Sequence, residues 1–346
     1  MLRALIGAVL AASLATTSAA DKPVRAQRVA QDVWFVQGEA AIGSSANRNF
    51  ISNAGFVVTG KGVVVIDALG SPALAQELIA EVRRVTAQPI RYVIVTHFHA
   101  DHIYGLQAFK AIGATIIAHP AGRAYLNSEV AALKMQASRE ELFPWIDEST
   151  QLLGADRWLE STPRPTSTSS APRATKGPLR GPGGMSKVTE PHLLMRDEST
   201  LRLGAFEFQM RHAGPAHTPE DLVVHVPRRS VLFVGDLAFR GRIPFVGQAD
   251  SGQWIASLTR LIEFKPRIVI PGHGPVSTQP IADMQLTRDY LKHLRHTMGE
   301  AARNLEPFDE AYAKADWSRF ERVPLFAAVN RMNAYNTYLL MEQQGR

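Results

Sequence analysis

The stretch VIVTHFHADHIYG, residues 93–105, runs the signature of a buried strand straight into three histidines and an aspartate. His97 and His99 lie two apart at the end of that strand, so both side chains leave on the same side. Asp101 and His102 follow where the chain turns into a helix predicted from about 101 to 112. Open α/β sheets place their ligands beyond the carboxyl ends of strands, so this junction is a candidate site.

Upstream, residues 32–38 and 53–68 read as strands, the second a hairpin turning at Thr59-Gly60-Lys61-Gly62 and closing on Asp67. Ser71-Pro72 is a cap and first-turn proline, and Leu74, Leu78, Val82 and Val85 recur at helical spacing. A strand at 115–119 and helical text through Ala137 follow. The second half writes strands at 201–213, 221–227, 230–236 and 266–274, with a helix near 253–264 and a mostly helical tail from Ile281. Two halves that alternate strand and helix around one core predict an α/β fold, a four-layer αββα sandwich.

Three more candidate ligands occupy strand exits. His217 stands in the turn GPAHT, Asp236 closes VLFVGD, and His273 closes IVIPGHG. Five of the eleven histidines and two aspartates therefore occupy such positions. Imidazole and carboxylate suit zinc, iron or manganese rather than calcium. Seven donors exceed one tetrahedral zinc but suit two metals about 3.5–4 Å apart.

With these residues in order, the chain resembles the metallo-β-lactamase superfamily, whose HxHxDH signature is matched by His97, His99, Asp101 and His102. The resemblance spans about 32–294 and implies the metallo-β-lactamase fold and a metal-dependent hydrolase. It implies that His97, His99 and His217 hold one metal, that Asp101, His102 and His273 hold the second, and that Asp236 bridges them. Asp67 is then a residue behind the ligands. Asp101 is the expected catalytic residue, orienting the attacking water and carrying its proton to the leaving group. Asp236 stands where many lactamases use cysteine, and PGHGPV is unlike the corresponding segment of glyoxalase II. Glu220 in HTPED replaces a glycine of many relatives. The chain looks most like exported zinc hydrolases associated with sulfur-oxidation and quinoprotein systems. Arg240 and Arg242 read either as anchors for an anionic substrate or as surface ion pairs.

Composition bounds the rest. The 346 residues are 45% hydrophobic, enough for a large core, and contain no cysteine, which excludes disulfides, thiolate chemistry and a lipid-modified terminus. Residues 1–20 have the layout of a secretory signal cleaved near Ala20/Asp21, which predicts a periplasmic or secreted protein with no membrane attachment after cleavage. Residues 21–300 would form the hydrolase domain and 301–346 a helical extension. Of the formal net charge of +6, Arg3 carries one unit and the acid-free segment 162–186 four. That segment, rich in Pro, Ser and Gly, reads as a flexible insertion. The near-neutral remainder excludes nucleic acid as a partner and leaves a small-molecule substrate. In the tail, Leu325, Val329, Met332, Tyr335 and Leu339 share one helical face, a core face or a homodimer face.

Two other readings use the same residues. An iron-dependent persulfide dioxygenase of this fold would use His97, His217 and Asp236 alone, and a nonenzymatic accessory protein would hold metal without turnover. The remaining histidines, His119, His192, His212, His225, His293 and His296, lack the constellation, and of these His119 and His212 are expected nearest the pocket.

Overall fold

Burial along the strands shows how the layers are built. In the computed structural model, which describes residues 22–159 and 198–345, the strand Val63–Ile66 is buried at every position. Val63 and Val65 face one apolar cluster and Val64 and Ile66 another, so this strand has core on both sides. The expected signal peptide 1–20 and the insertion 162–186 lie outside the described residues.

The first sheet has seven strands in sequence order, β1 (Gln27–Ala30), β2 (Val33–Val36), β3 (Ala54–Val58), β4 (Val63–Ile66), β5 (Ile90–Ile94), β6 (Thr115–Ala118) and β7 (Arg157–Trp158). Pairing is antiparallel through β4 and parallel from β4 to β7. The second sheet contains β8 (Glu198–Leu203), β9 (Phe206–His212), β10 (Leu222–Val226), β11 (Val231–Phe239) and β12 (Ile268–His273) in the order β12-β11-β10-β9-β8. Only β11 and β12 are parallel there.

Between the sheets lie Phe35, Ile66 and Ile94 from one side and Phe208, Val224 and Phe233 from the other. Outside the first sheet pack α1 (Pro72–Val85), α2 (Ala100–Ile103), α3 (Leu106–Ala111), α4 (Gly122–Leu126) and α5 (Glu129–Glu141). Outside the second pack α6 (Ser251–Glu263), α7 (Pro280–Arg303), α8 (Phe308–Lys314) and α9 (Phe326–Gln344). The order helix, sheet, sheet, helix is the αββα sandwich read from the sequence.

Local signals held where the chemistry is local. The hairpin turns at Gly60 and Gly62, both at positive φ, and the Ser71 side chain accepts from Leu74 N at 3.2 Å to cap α1. The single helix expected over 101–112 is instead two, α2 and α3, divided at Gly105. A Cβ at Gly105 would stand 2.0 Å from the Ala68 carbonyl oxygen, and Gly105 N donates to Leu69 O at 3.1 Å. The helix breaks because this backbone approach, from the end of β4, admits only glycine.

The tail differs from its predicted face as well. Met332 and Tyr335 are exposed at 41% and 46%, while Asn330, Asn333 and Thr337 are buried beside Val329 and Ala334. Polar side chains go inside because each is satisfied. Tyr290 OH donates to Asn330 Oδ1 at 2.8 Å, and Asn330 Nδ2 donates to Tyr312 OH at 3.1 Å. Thr337 Oγ1 donates to Asn333 O at 2.8 Å. Val329 and Ala334 share a cluster with Trp254, Leu258 and Tyr290, so residues beyond 301 pack into the same core as α6 and α7.

Candidate metal centre

One end of the sandwich collects the loops that carry histidine and aspartate. The two sheets are stitched there by backbone bonds, Leu222 N to Thr96 O at 2.8 Å and Asn53 N to Gly272 O at 2.7 Å. Asn53 Nδ2 also donates to Pro271 O and Gly274 O at 2.8 and 2.7 Å, fixing the turn after β12 against the start of β3. His97 and His99 follow β5, Asp101 and His102 lie in α2, and His273 is the last residue of β12. His217 stands in the loop between β9 and β10, held by Thr218 N and Oγ1 donating to Asp221, each at 2.8 Å.

Asp236 departs from its expected place. The strand does not stop there but runs on to Phe239, and its pairing with β12 shifts register on both sides of Gly235. Gly235 takes φ 51°, and a Cβ there would meet Thr96 Oγ1 at 2.8 Å. This irregularity re-aims Asp236 into the cleft, as bulges beside functional sites do.

All seven residues meet in one cleft. Their ligand-capable atoms form two groups, His97, His99, His217 and Asp236 in one and Asp101, His102 and His273 in the other, each group within 4.8 Å. Asp236 lies between them. Its Oδ2 is 3.4 Å from His217 Nε2, 3.8 Å from His97 Nε2 and 3.2 Å from His273 Nε2, and its Oδ1 is 3.2 Å from His102 Nε2. Asp101 Oδ2 stands 3.5 Å from His102 Nε2 and 3.3 Å from His273 Nε2.

Three of the remote ring nitrogens are tied down. Asp67 Oδ2 pairs with His102 Nδ1 at 2.9 Å, Ile51 O with His273 Nδ1 at 2.8 Å, and Thr96 Oγ1 with His97 Nδ1 at 3.1 Å. That leaves His97 Nε2 and His102 Nε2 buried, aimed inward and without a hydrogen bond, together with Asp236 Oδ1 and His217 Nδ1. Buried polar atoms left without hydrogen bonds call for another partner, and histidines oriented through their second nitrogen are the usual support of a metal. The residues therefore fit a metal centre.

Electrostatics agrees. Burial pushes Asp236 and Asp101 upward, but facing imidazoles outweigh it and hold both carboxyls below the ordinary range. Burial alone would lower His102 and His273, yet the carboxylates around them raise both. Burial lowers His97, and lowers His99 to about 3, so these two rings are neutral. The cluster thus holds ionised carboxylates that protons on His102 and His273 offset, a place prepared for positive charge.

The sign of the resulting pH dependence follows. Raised histidine pKa values favour the folded protein fully below about 6.5, and that contribution is lost as pH rises through the folded values. Metal uptake runs the other way, because it must displace those protons. Zinc binding near pH 7 is expected to release protons, with affinity rising as the solution is made more alkaline. Calorimetry in buffers of different ionisation enthalpy measures the release; metal binding with none would mean that no protonated imidazole takes part in it.

Asp67 sits behind the ligands, as the sequence suggested. It takes φ 62°, accepts from Thr96 N and Thr96 Oγ1 at 2.8 Å each, and orients His102. Asp67→Ala should destabilise the protein by about 3 kcal/mol, since it strands a buried donor and leaves alanine in the left-handed region. Zinc affinity should fall about 10–100-fold. Chemical denaturation and metal titration test this, with Asp67→Asn retaining more of both because asparagine tolerates that φ.

Other readings divide. Arg240 is ion-paired with Asp283 at 2.8 Å and donates to Val276 O. Arg242 is buried and lines the cleft. His119 and His212 stack on each other at 3.8 Å and do not line the cavity beside the centre. Glu220 accepts from Phe98 N at 3.1 Å and so ties the His217 loop to the loop of His97 and His99. Thr96, Ile51 and Asn53 were not singled out in the sequence. Only the threonine preceding the HxH pair offered a local signal.

Comparison with known proteins places this geometry. Residues 47–273 match the sequence description of the Metallo-beta-lactamase superfamily. A linear primary-alkylsulfatase of Pseudomonas sp. (strain ATCC 19151) is 24% identical over 249 residues, covering 68% of this chain but 44% of that protein, so the match spans less than half of that relative. A metallo-beta-lactamase type 2 of Bacillus sp. (strain 170) is 25% identical over 246 residues, 70% of this chain and 73% of that one. Among solved structures, a metallo-beta-lactamase from Pontibacter korlensis aligns with TM-score 0.53 at 19% identity, covering 78% of this chain and 99% of its own, a likeness of fold.

Proposed function

Because the chain belongs to the metallo-beta-lactamase superfamily, we propose that it is an exported hydrolase that holds two zinc ions and cleaves an ester, thioester, lactone or lactam. The observation that carries this reading is the convergence of seven candidate donors on one buried cleft, with the inward nitrogens of His97 and His102 left without a hydrogen bond. The second group, Asp101, His102 and His273, brings three further donors together beside the four of the first, which favours two metals over a single iron on His97, His217 and Asp236.

Zinc bound there would lower the pKa of a coordinated water from about 15.7 toward 7 and polarise the bond under attack. The protein supplies the rest. Asp101 has 15% of its side chain exposed against 4% for Asp236, so it is the more open of the two carboxylates that line the cavity. It orients the attacking water, accepts its proton at Oδ2 and returns it to the leaving group. Asp236, deeper and surrounded by four imidazoles, keeps its charge and fixes the spacing of the two groups. The cavity beside them, about 320 Å³, is of a size for a small molecule.

Metal analysis by mass spectrometry, followed by chromogenic lactam, lactone and thioester substrates, tests the reading. Two zinc ions with turnover of at least one substrate is the expected result. One iron with oxygen consumption on a persulfide would replace it with the dioxygenase, and bound metal without any turnover with the accessory protein. Export rests on the sequence of residues 1–20, and the described helices include none long and apolar enough to cross a membrane. Intact mass of the periplasmic or secreted protein should correspond to a chain beginning at about Asp21.

A further inference from the structure

The cavity beside the metal centre has a polar floor and an apolar wall. His99, Asp101, Asp236 and His273 form the floor; Ile42, Phe245, Val329 and Met332 form the wall. Ile42, Phe245 and Met332 are 55%, 36% and 41% exposed, an open apolar surface continuous with the cluster of ligands. Large apolar side chains grouped at the mouth of a polar site mark a surface that a ligand covers.

This wall is built deliberately. Val329 and Met332 belong to α9, beyond residue 273 where the family match ends. Asn333 of the same helix accepts from Val246 N at 2.9 Å and donates to Pro244 O at 2.7 Å, so the residues on either side of Phe245 are both clamped to α9. Ile243 N donates to Pro324 O at 2.9 Å just before the helix. Arg242 completes the frame, donating from Nη1 to Ala41 O at 3.2 Å and so holding the loop that carries Ile42. A wall held by buried hydrogen bonds is preorganised, and the apolar surface it shows is not an accident of a loose tail.

We propose that this wall binds a linear apolar chain of the substrate, lying across Ile42, Phe245, Val329 and Met332 and presenting the bond to be cleaved to the metal centre. The inference rests on the hydrolase reading only for the cleavage; the groove itself does not need it. The chain is the acyl part of a carboxylic ester or thioester, or the alkyl part of a sulfate ester. Arg242 and Asn333 are positioning residues, since they act through the wall.

Two measurements keep the readings apart. The metal-free protein is titrated by calorimetry with the neutral amides butanamide, hexanamide and octanamide. The zinc-loaded protein is assayed on butanoyl and octanoyl thioesters and on butyl and octyl sulfates. A fully covered methylene gives about fourfold, the equivalent of about 0.8 kcal/mol. In this open groove octanamide is expected to bind at least about tenfold more tightly than butanamide. The double variant Ile42→Ser/Met332→Ser, at exposed positions, should reduce that ratio below about threefold with unchanged melting temperature and zinc content. An octanamide affinity no better than butanamide, or a double variant that keeps the wild-type ratio, overturns the proposal. Chain-dependent binding without turnover of either series would instead leave the groove standing and overturn the assignment of its chain to a thioester or a sulfate ester. Preference for the thioesters or the sulfates identifies which kind of bond the chain carries.

Discussion

Asp236→Ala is expected to lower zinc content below one ion per chain and kcat/KM by about a hundredfold to a few thousandfold. The Asp236 carboxylate is 4% exposed and lies within 3.8 Å of His97, His102, His217 and His273, so it is the group that both clusters share. Removing one member of a buried charged network costs about 3–5 kcal/mol, and each 1.4 kcal/mol is about tenfold in affinity or rate. The position of the carboxylate also requires glycine at neighbouring 272, where a Cβ would stand 2.0 Å from Asp236 Oδ1. The metal-free variant carries a second signature. With the carboxylate gone, the raised pKa values of His102 and His273 fall toward burial's lower values, and the acid-side stabilisation they supply shrinks. Metal analysis, kinetics and urea titrations at two pH values measure all three; full zinc occupancy in Asp236→Ala would remove the shared role.

Asp101→Ala is expected to reduce kcat by about 10²–10⁴-fold, the range of a positioned acid–base group, and to lower zinc content as well. Its carboxylate contacts His102 and His273 but neither His97 nor His217, so the first group of donors should keep its metal better than in Asp236→Ala. The two variants therefore separate. Loss of Asp236 undermines both groups, whereas loss of Asp101 acts on one group and on the proton. The alkaline and acid limbs of the pH profile report the second effect. Full activity in Asp101→Ala with two bound metals would refute a catalytic role for this side chain.

Much of this centre was legible in the chain because its cues are local. A strand of Val and Ile ending in HxHxDH puts His97 and His99 on one side whatever else the protein does. GPAHT, VGD and PGHG each mark a turn or strand end with glycine or proline beside a donor. The supporting residues were less legible. Nothing near Asn53 announces that its amide will grip carbonyls at 271 and 274, more than two hundred residues away. Gly105 looks like an ordinary helical glycine until the end of β4 approaches it. The tail misled through its polarity: asparagine and threonine read as outward residues, yet Asn330, Asn333 and Thr337 go inside because their partners lie on α7, on α8, in the loop before α6 and on α9 itself.

By itself the sequence determined the layers and offered seven histidines and aspartates as candidate donors, since alternation, turn residues and donor type act over a few residues. Tertiary structure alone decided that Asp236 lies between the two groups through a mid-strand irregularity, that Arg242 holds a loop instead of standing free, and that α9 walls the cavity. Those outcomes depend on distances between segments far apart in the chain, and such distances are set by packing and by the pairing of buried polar groups.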